Sequence, residues 1–151
     1  MRRSEKEITD RAEIDAVIGS CQVCRLGLCD EGEPYIVPMC FGYDGESVYC
    51  HSAVEGRKLD ILRRNPRVCV EFDQLLDLVE GKEACGWGMH YRSVVGTGTA
   101  EFVEGLEAKR AGLALVMAQY SDGDFSFPEG AVDRVSVFRV RLDQLTGKQA
   151  G

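Results

Sequence analysis

Between residues 23 and 51 the chain passes through three apolar, β-branched and aromatic stretches joined by connections only three or four residues long. Residues 23–29 (VCRLGLC) read as a first strand, and Asp30-Glu31-Gly32-Glu33 as a turn. Residues 34–43 (PYIVPMCFGY) read as a second strand. Asp44-Gly45-Glu46 is the next turn, an Asp-Gly pair of the kind that closes tight hairpins, and residues 47–51 (SVYCH) form a third strand. Connections this short join antiparallel neighbours, because a parallel crossover needs a dozen or more residues. The segment is therefore a meander. Pro38 cannot donate to a ladder, so its position is an edge, a bulge or a ligand-facing stretch.

The rest of the chain keeps this character, with short helices between strands. Asp10 can cap a helix whose capping-box partner is Glu13; Ile14, Val17 and Ile18 repeat at helical spacing and Gly19 ends it, so this helix should cover one mouth of the fold. Residues 54–65 place Leu59 and Leu62 at helical spacing before Asn65-Pro66 stops them. A fourth strand is expected over residues 67–76, a polar loop over 79–85, and a long β-rich run over 87–103. Gly96 and Gly98 within that run imply a bend or a close backbone approach. A helix over residues 106–120 presents Leu113, Val116, Met117 and Tyr120. A loop, a last strand over residues 132–142 and a tail from 147 to 151 complete the chain. The alternation of strand and helix that a parallel sheet needs is missing. The expectation is one domain over residues 1–151, mainly β, a six-stranded antiparallel split β-barrel with short flanking helices.

Asp and Glu number 25 against 18 Lys and Arg, a formal charge of −7, which disfavours nucleic acid as a general partner and makes any anion depend on a local basic site. No apolar run is long enough to span a membrane, and MRRSEKEITD at the start leads into no secretory signal. The seven cysteines, at 21, 24, 29, 40, 50, 69 and 85, are odd in number and mostly lie in apolar runs. Free, partly buried thiols in the cytoplasm are expected, with no disulfide framework. Cys21-Gln22-Val23-Cys24 has CxxC spacing, and Cys85 and His90 could complete a zinc site, but Cys24 alternates with Leu26 and Leu28 as a core residue does; no metal is assigned.

The strongest local feature is HSAVEGRKLDILRRNPR at 51–67. From residue 54 onward it carries Arg57, Lys58, Arg63, Arg64 and Arg67 against Glu55 and Asp60 only. Ser52 offers a hydroxyl before the helix. Arg57 and Lys58 fall in its opening turn, where unpaired amides and the helix dipole also favour an anion. A guanidinium fork, a mobile ammonium and neutral donors together suit a phosphate. The bland alternative is a solvated helix face with Arg64 paired to Asp60. His51 and His90 are the two histidines; each could be a base, an axial ligand or a structural residue.

These residues resemble the pyridoxamine-5′-phosphate-oxidase-like FMN-binding split barrels, and more closely their nitroimidazole-resistance branch. The similarity runs over residues 6–148 through VCRLGL (23–28), PYIVPMCFGY (34–43), VYCHSAVEGRKLDILRRNPRVCVEFD (48–73), YRSVVGTGTAEFV (91–103) and VFRVRLDQLTGK (137–148). The resemblance implies FMN at a homodimer interface. It implies phosphate contacts from Ser52, Arg57 and Lys58. It implies further that Val37, Pro38, Met39, Cys40 and Phe41 run along the flavin ring, that His51 lies beside the flavin or another ligand, and that Tyr91, Arg92 and Ser93 add contacts across the dimer. Apart from Arg92, no basic pocket is evident for the second phosphate of a pyridoxine phosphate. The resulting reading is an FMN-binding oxidoreductase, flavin reductase-like or nitroreductase-like, acting on a small molecule, with His51 as the candidate catalytic group. A non-enzymatic FMN carrier or sensor and a haem-binding protein of the same fold are the alternatives. Trp87, Tyr91 and apolar residues of the last strand are the candidate dimer anchors.

Overall fold

The computed structural model describes residues 3–151; the first two residues of the expected single domain lie outside the described residues. After a short 3-10 turn come strand β1 (Glu7–Ile8), helix α1 (Arg11–Ser20), β2 (Cys24–Asp30), β3 (Glu33–Met39), β4 (Gly42–Tyr43), β5 (Ser47–Ala53) and helix α2 (Arg57–Arg64). Then follow β6 (Arg67–Val79), β7 (Gly88–Phe102), α3 (Leu106–Ala118), α4 (Glu129–Val132) and β8 (Val135–Ala150). All eight strands belong to one antiparallel sheet in the order β3-β2-β6-β7-β8-β5-β4, with β1 added to β8. Among the described residues no helix is long and apolar enough to cross a membrane.

Two features of the expected fold need correction. The sheet has eight strands rather than six, and it does not close into a barrel: β3 and β4 are its two edges and are not paired with each other. The cause lies at Cys40-Phe41, where the expected second strand breaks in two. Pro34 and Pro38 withhold amide donors from β3, as prolines on edge strands do. The amide of Phe41 donates to the Tyr120 hydroxyl (3.0 Å) rather than to a strand. Gly42 then passes directly against helix α3. A Cβ there would stand 2.4 Å from the Leu115 carbonyl, so only glycine allows the crossing from one sheet edge to the other.

The expected last strand starts late, at Val135, because Val132 ends helix α4, and the remaining corrections are of length. Residues 147–150, expected as tail, extend β8 because Gly147 and Lys148 pair with β1 on one side and with Val94 and Ser93 on the other. β6 runs on to Val79, into the expected loop.

Three local expectations are met, while α1 runs through Gly19 to Ser20 and α3 ends at Ala118. Asp10 caps α1 by accepting from the Ala12 amide (3.0 Å). Ile14, Val17 and Ile18 bury that helix against the sheet. Gly98 sits at a register shift in the β7–β8 ladder, and a Cβ there would lie 2.0 Å from the Arg141 carbonyl oxygen, the close approach foreseen.

The core lies on one face of the sheet. Leu26, Leu28, Val48, Cys50, Val68, Val70, Phe72, Val94, Phe138 and Val140 supply it, and α1 and α2 cap it with Ile14, Val17, Ile18, Leu59, Ile61 and Leu62. Leu113, Val132 and Val137 form a smaller cluster on the other face, under α3. All seven cysteines are free. Cys21, Cys24 and Cys50 are buried, but Cys29, Cys40, Cys69 and Cys85 are exposed, because strand alternation turns Cys69 outward between buried Val68 and Val70.

Candidate functional site

The basic segment separates into paired and unpaired charges. Arg63 bonds Asp60 (3.1 Å), Arg64 grips Asp30 through two nitrogens (3.1 and 2.7 Å), and Arg67 bonds Asp143 (2.8 Å). The Arg64–Asp60 pair considered from sequence is thus replaced by Arg63–Asp60 and Arg64–Asp30. Arg57 and Lys58 have no acidic partner among the described residues. The Arg57 guanidinium instead lies over the Tyr35 ring of β3, 4.6 Å from its centroid. Gly56 is the N-cap of α2 and no side chain caps the helix. Leu59 and Asp60 donate back to the Gly56 carbonyl, so the amides of Arg57 and Lys58 are the unspent donors of the first turn.

β5 carries Ser52 and His51 to opposite faces of the sheet. Ser52 shares the face of core residues Val48 and Cys50 and stands across from Ser136; its hydroxyl donates to the Ala53 carbonyl (2.9 Å). His51 stands across from Val137 on the face that α3 covers, and its Nδ1 is buried with no hydrogen-bond partner among the described residues. A buried ring nitrogen is satisfied by an ordered water or a ligand where the protein offers no partner. Behind Ser52, a hydrogen bond with Cys24 and complete burial push the Cys50 thiol well up, with Lys58 acting in the opposite direction.

The stretch 37–41 forms the end of edge strand β3 and the crossing beyond it. Val37 is half-buried, Met39 and Phe41 are buried, and Pro38 and Cys40 are exposed. Pro38 has no amide hydrogen and that of Phe41 is spent on Tyr120, which limits the backbone donors this stretch offers. Tyr120, missed as a site-supporting residue, also donates to the Gln22 carbonyl (2.7 Å). Burial comes first among the causes that push its phenol up to about 12. Its helical spacing pointed to core packing and gave no sign of this bridging.

Tyr91, Arg92 and Ser93 lie far along the sheet from Ser52: β7 reaches the level of Ser52 only near Phe102, roughly 30–36 Å further along the strand at about 3.3 Å per residue. They are nearer the 37–41 stretch, because the pairs Pro38–Arg25, Arg25–Glu71 and Glu71–Val95 put it level with this part of β7, three strands across. Lys148 lies over the Tyr91 ring (5.7 Å) and Arg92 is exposed beside Gln149.

Residues 10–149 match the family described as pyridoxamine 5′-phosphate oxidase. The chain belongs to this family. Within it, the chain is similar to the crystal structure of a candidate 5-nitroimidazole antibiotic resistance protein from Bacteroides thetaiotaomicron. The two are 38% identical over 95% of this chain and 86% of that one, with a TM-score of 0.86. An FAD-binding protein from Mesorhizobium loti is 26% identical over 97% and 98% of the two chains (TM-score 0.71). A flavocytochrome from Azotobacter vinelandii shares the fold, with 20% identity over 100% of this chain and 72% of that one and a TM-score of 0.88. Among curated proteins, an uncharacterised protein of Rhizobium meliloti is 34% identical over 64 residues, and the match takes in 42% of that protein's length. Family membership places the chain among FMN-binding split-barrel proteins with oxidoreductase-like relatives, although its own ladder stays open.

Proposed function

We propose that this protein binds FMN and acts as a flavin-dependent oxidoreductase on a small molecule, as a homodimer in the cytoplasm. The observation that carries the proposal is the division of charges on α2: acid partners neutralise Arg63, Arg64 and Arg67 and leave Arg57 and Lys58 free beside two unspent amides. In a chain of net charge −7 that arrangement is a prepared seat for a phosphate.

FMN would be held by Arg57, Lys58 and Ser52 at its phosphate, and it would supply the electron chemistry. Stacking on Tyr35 fixes the Arg57 guanidinium while leaving its N–H edge to donate. Lys58, half-buried, adds a compact charge. In this reading the ring lies along Val37, Pro38, Met39, Cys40 and Phe41, with Cys40 the exposed residue of the crossing. His51 is the candidate catalytic group of this reading, but it faces the α3 side of the sheet, opposite to Ser52, so its Nδ1 would exchange a proton only with a molecule that reaches that face.

The homodimer rests on the arm formed by the distal halves of β6 and β7. Leu75, Leu76, Leu78, Trp87 and Met89 are all exposed there, an apolar patch of the kind that marks an interaction surface. A second copy packed on that arm would bring its Tyr91, Arg92 and Ser93 toward the phosphate seat of the other, which lies far along the sheet from them in their own chain.

An absorption spectrum of the protein as purified tests the reading. A two-band flavin spectrum is expected, with release of FMN on denaturation. A Soret band would replace the proposal with the haem reading. A bound flavin without turnover of NADH or NADPH and an electron acceptor would leave a carrier or sensor.

A further inference from the structure

Helix α2 presents cations to two different clefts. Arg57 leans over Tyr35 of β3, whereas Arg63 leans over Phe102 of β7, its guanidinium 5.4 Å from the ring centroid. The second cleft opens into a cavity of about 270 Å³, lined among others by Val54, Arg63, Phe102, Glu104, Lys109 and Ser136. It takes no part in the proposed phosphate seat, although Ser136 faces Ser52 across the β5–β8 ladder and the two sites are neighbours.

We propose that this cavity binds a small organic monoanion, a carboxylate with an apolar or aromatic body. The two cations are already positioned. The half-buried Lys109 donates one N–H to the Val132 carbonyl (2.9 Å) and keeps the others, and Arg63 is held flat by Phe102 while one nitrogen contacts Asp60 (3.1 Å). The N–H groups that remain and the Ser136 hydroxyl are donors suited to one carboxylate. Val54, Val135 and Val137 supply an apolar wall for its body. Glu104 in the lining and Asp60 beside Arg63 balance the charges of Arg63 and Lys109, so an anion is held by the N–H groups these two cations have left rather than by a surplus of charge. One carboxylate is matched by those donors. A dianion such as phosphate brings a second negative charge beside Glu104 and Asp60 with no further cation to oppose it.

Calorimetric titration of benzoate and of inorganic phosphate into the purified protein tests the proposal, with Arg63→Ala, Arg63→Lys, Lys109→Met and Arg57→Ala as variants. Benzoate binding is expected to weaken at least about tenfold in Arg63→Ala and in Lys109→Met, the loss of one charge-assisted contact each. Arg63→Lys should recover part of that loss, and Arg57→Ala should leave benzoate unchanged. In the Arg57→Ala protein, phosphate should bind at least about tenfold more weakly than benzoate. Absence of benzoate binding to the wild type, a loss confined to Arg57→Ala, or phosphate binding as tight as benzoate in Arg57→Ala would each overturn the proposal. FMN binding does not enter these titrations, so failure of the FMN reading and failure of this one are distinguishable.

Discussion

The long strands β6, β7 and β8 run through two different surroundings. Over residues 67–73 of β6 and 94–102 of β7 the inward side chains are covered by α1, α2 and the flanking strands. Phe72, Val94 and Phe138 are fully buried, with Phe72 meeting Phe41 edge-on at 5.1 Å. From a bulge that begins at Leu75 the same β6–β7 ladder continues as an arm, on which Leu75 is 64% exposed and Leu78 54%, with Trp87 just before β7 50% exposed. Both regions have intact backbone pairing and similar apolar content. The difference is that helices and neighbouring strands cover the first, while nothing among the described residues covers the second. Hydrogen bonding alone therefore does not distinguish a core from an interface; what is packed over the strand does.

Substitutions in the two regions should separate accordingly. Phe72→Ala empties a fully buried site and should lower stability by about 3–5 kcal/mol in denaturant unfolding. Leu75→Ala, equally apolar but exposed, should change the stability of the isolated chain by less than about 0.5 kcal/mol. A large effect at Leu75 in a demonstrably monomeric sample would remove the contrast.

The arm should show its role in assembly instead. Sedimentation is expected to give a mass of twice 16.7 kDa for the wild type and 16.7 kDa after combined Leu78→Ser and Trp87→Ala substitution, with the fold retained. A dimer that survives both changes would move the interface elsewhere.

A smaller effect concerns alkaline pH and belongs to the covered region. Burial, aided by the charge of Asp73, pushes the Cys21 thiol up to about 11, and burial with the hydrogen bond to Asp15 takes the Tyr43 phenol up to about 12. Both groups are held neutral in the fold and ionise more readily in the unfolded chain. Their stabilisation is therefore complete below about pH 9 and is lost progressively as pH rises toward 12. Unfolding midpoints measured from pH 8 upward should fall through that window, and Tyr43→Phe should flatten the upper part of the fall. Midpoints that stay level would contradict the assignment.

What was legible in the sequence shares one property, dependence on neighbours in the chain. The Asp10 cap and the turns at residues 30–33 and 44–46 are encoded locally, and the structure places them where they were read. The break of the second strand was hidden because it depends on the Tyr120 hydroxyl and the Leu115 backbone, both more than seventy residues away in sequence. The final turn of β8 depends on β1 in the same way. At the candidate site, charge density singled out the basic segment, but which cations were free could not be read. Arg64 finds its acid at Asp30, on a different element, and His51 and Ser52, adjacent in sequence, face opposite sides of the sheet.

In the proposed FMN site Arg57 is held for a phosphate while Arg64, paired with Asp30, serves the surface. Fluorescence titration of FMN and riboflavin against the wild type, Arg57→Ala and Arg64→Ala tests it most directly. Arg57→Ala should weaken FMN at least about tenfold, since a charge-assisted hydrogen bond to phosphate is worth about 1.5–3 kcal/mol. Riboflavin, which has no phosphate, should bind equally to both proteins, and Arg64→Ala should change neither ligand appreciably. Equal losses of FMN and riboflavin in Arg57→Ala, or no loss of either, would contradict the account.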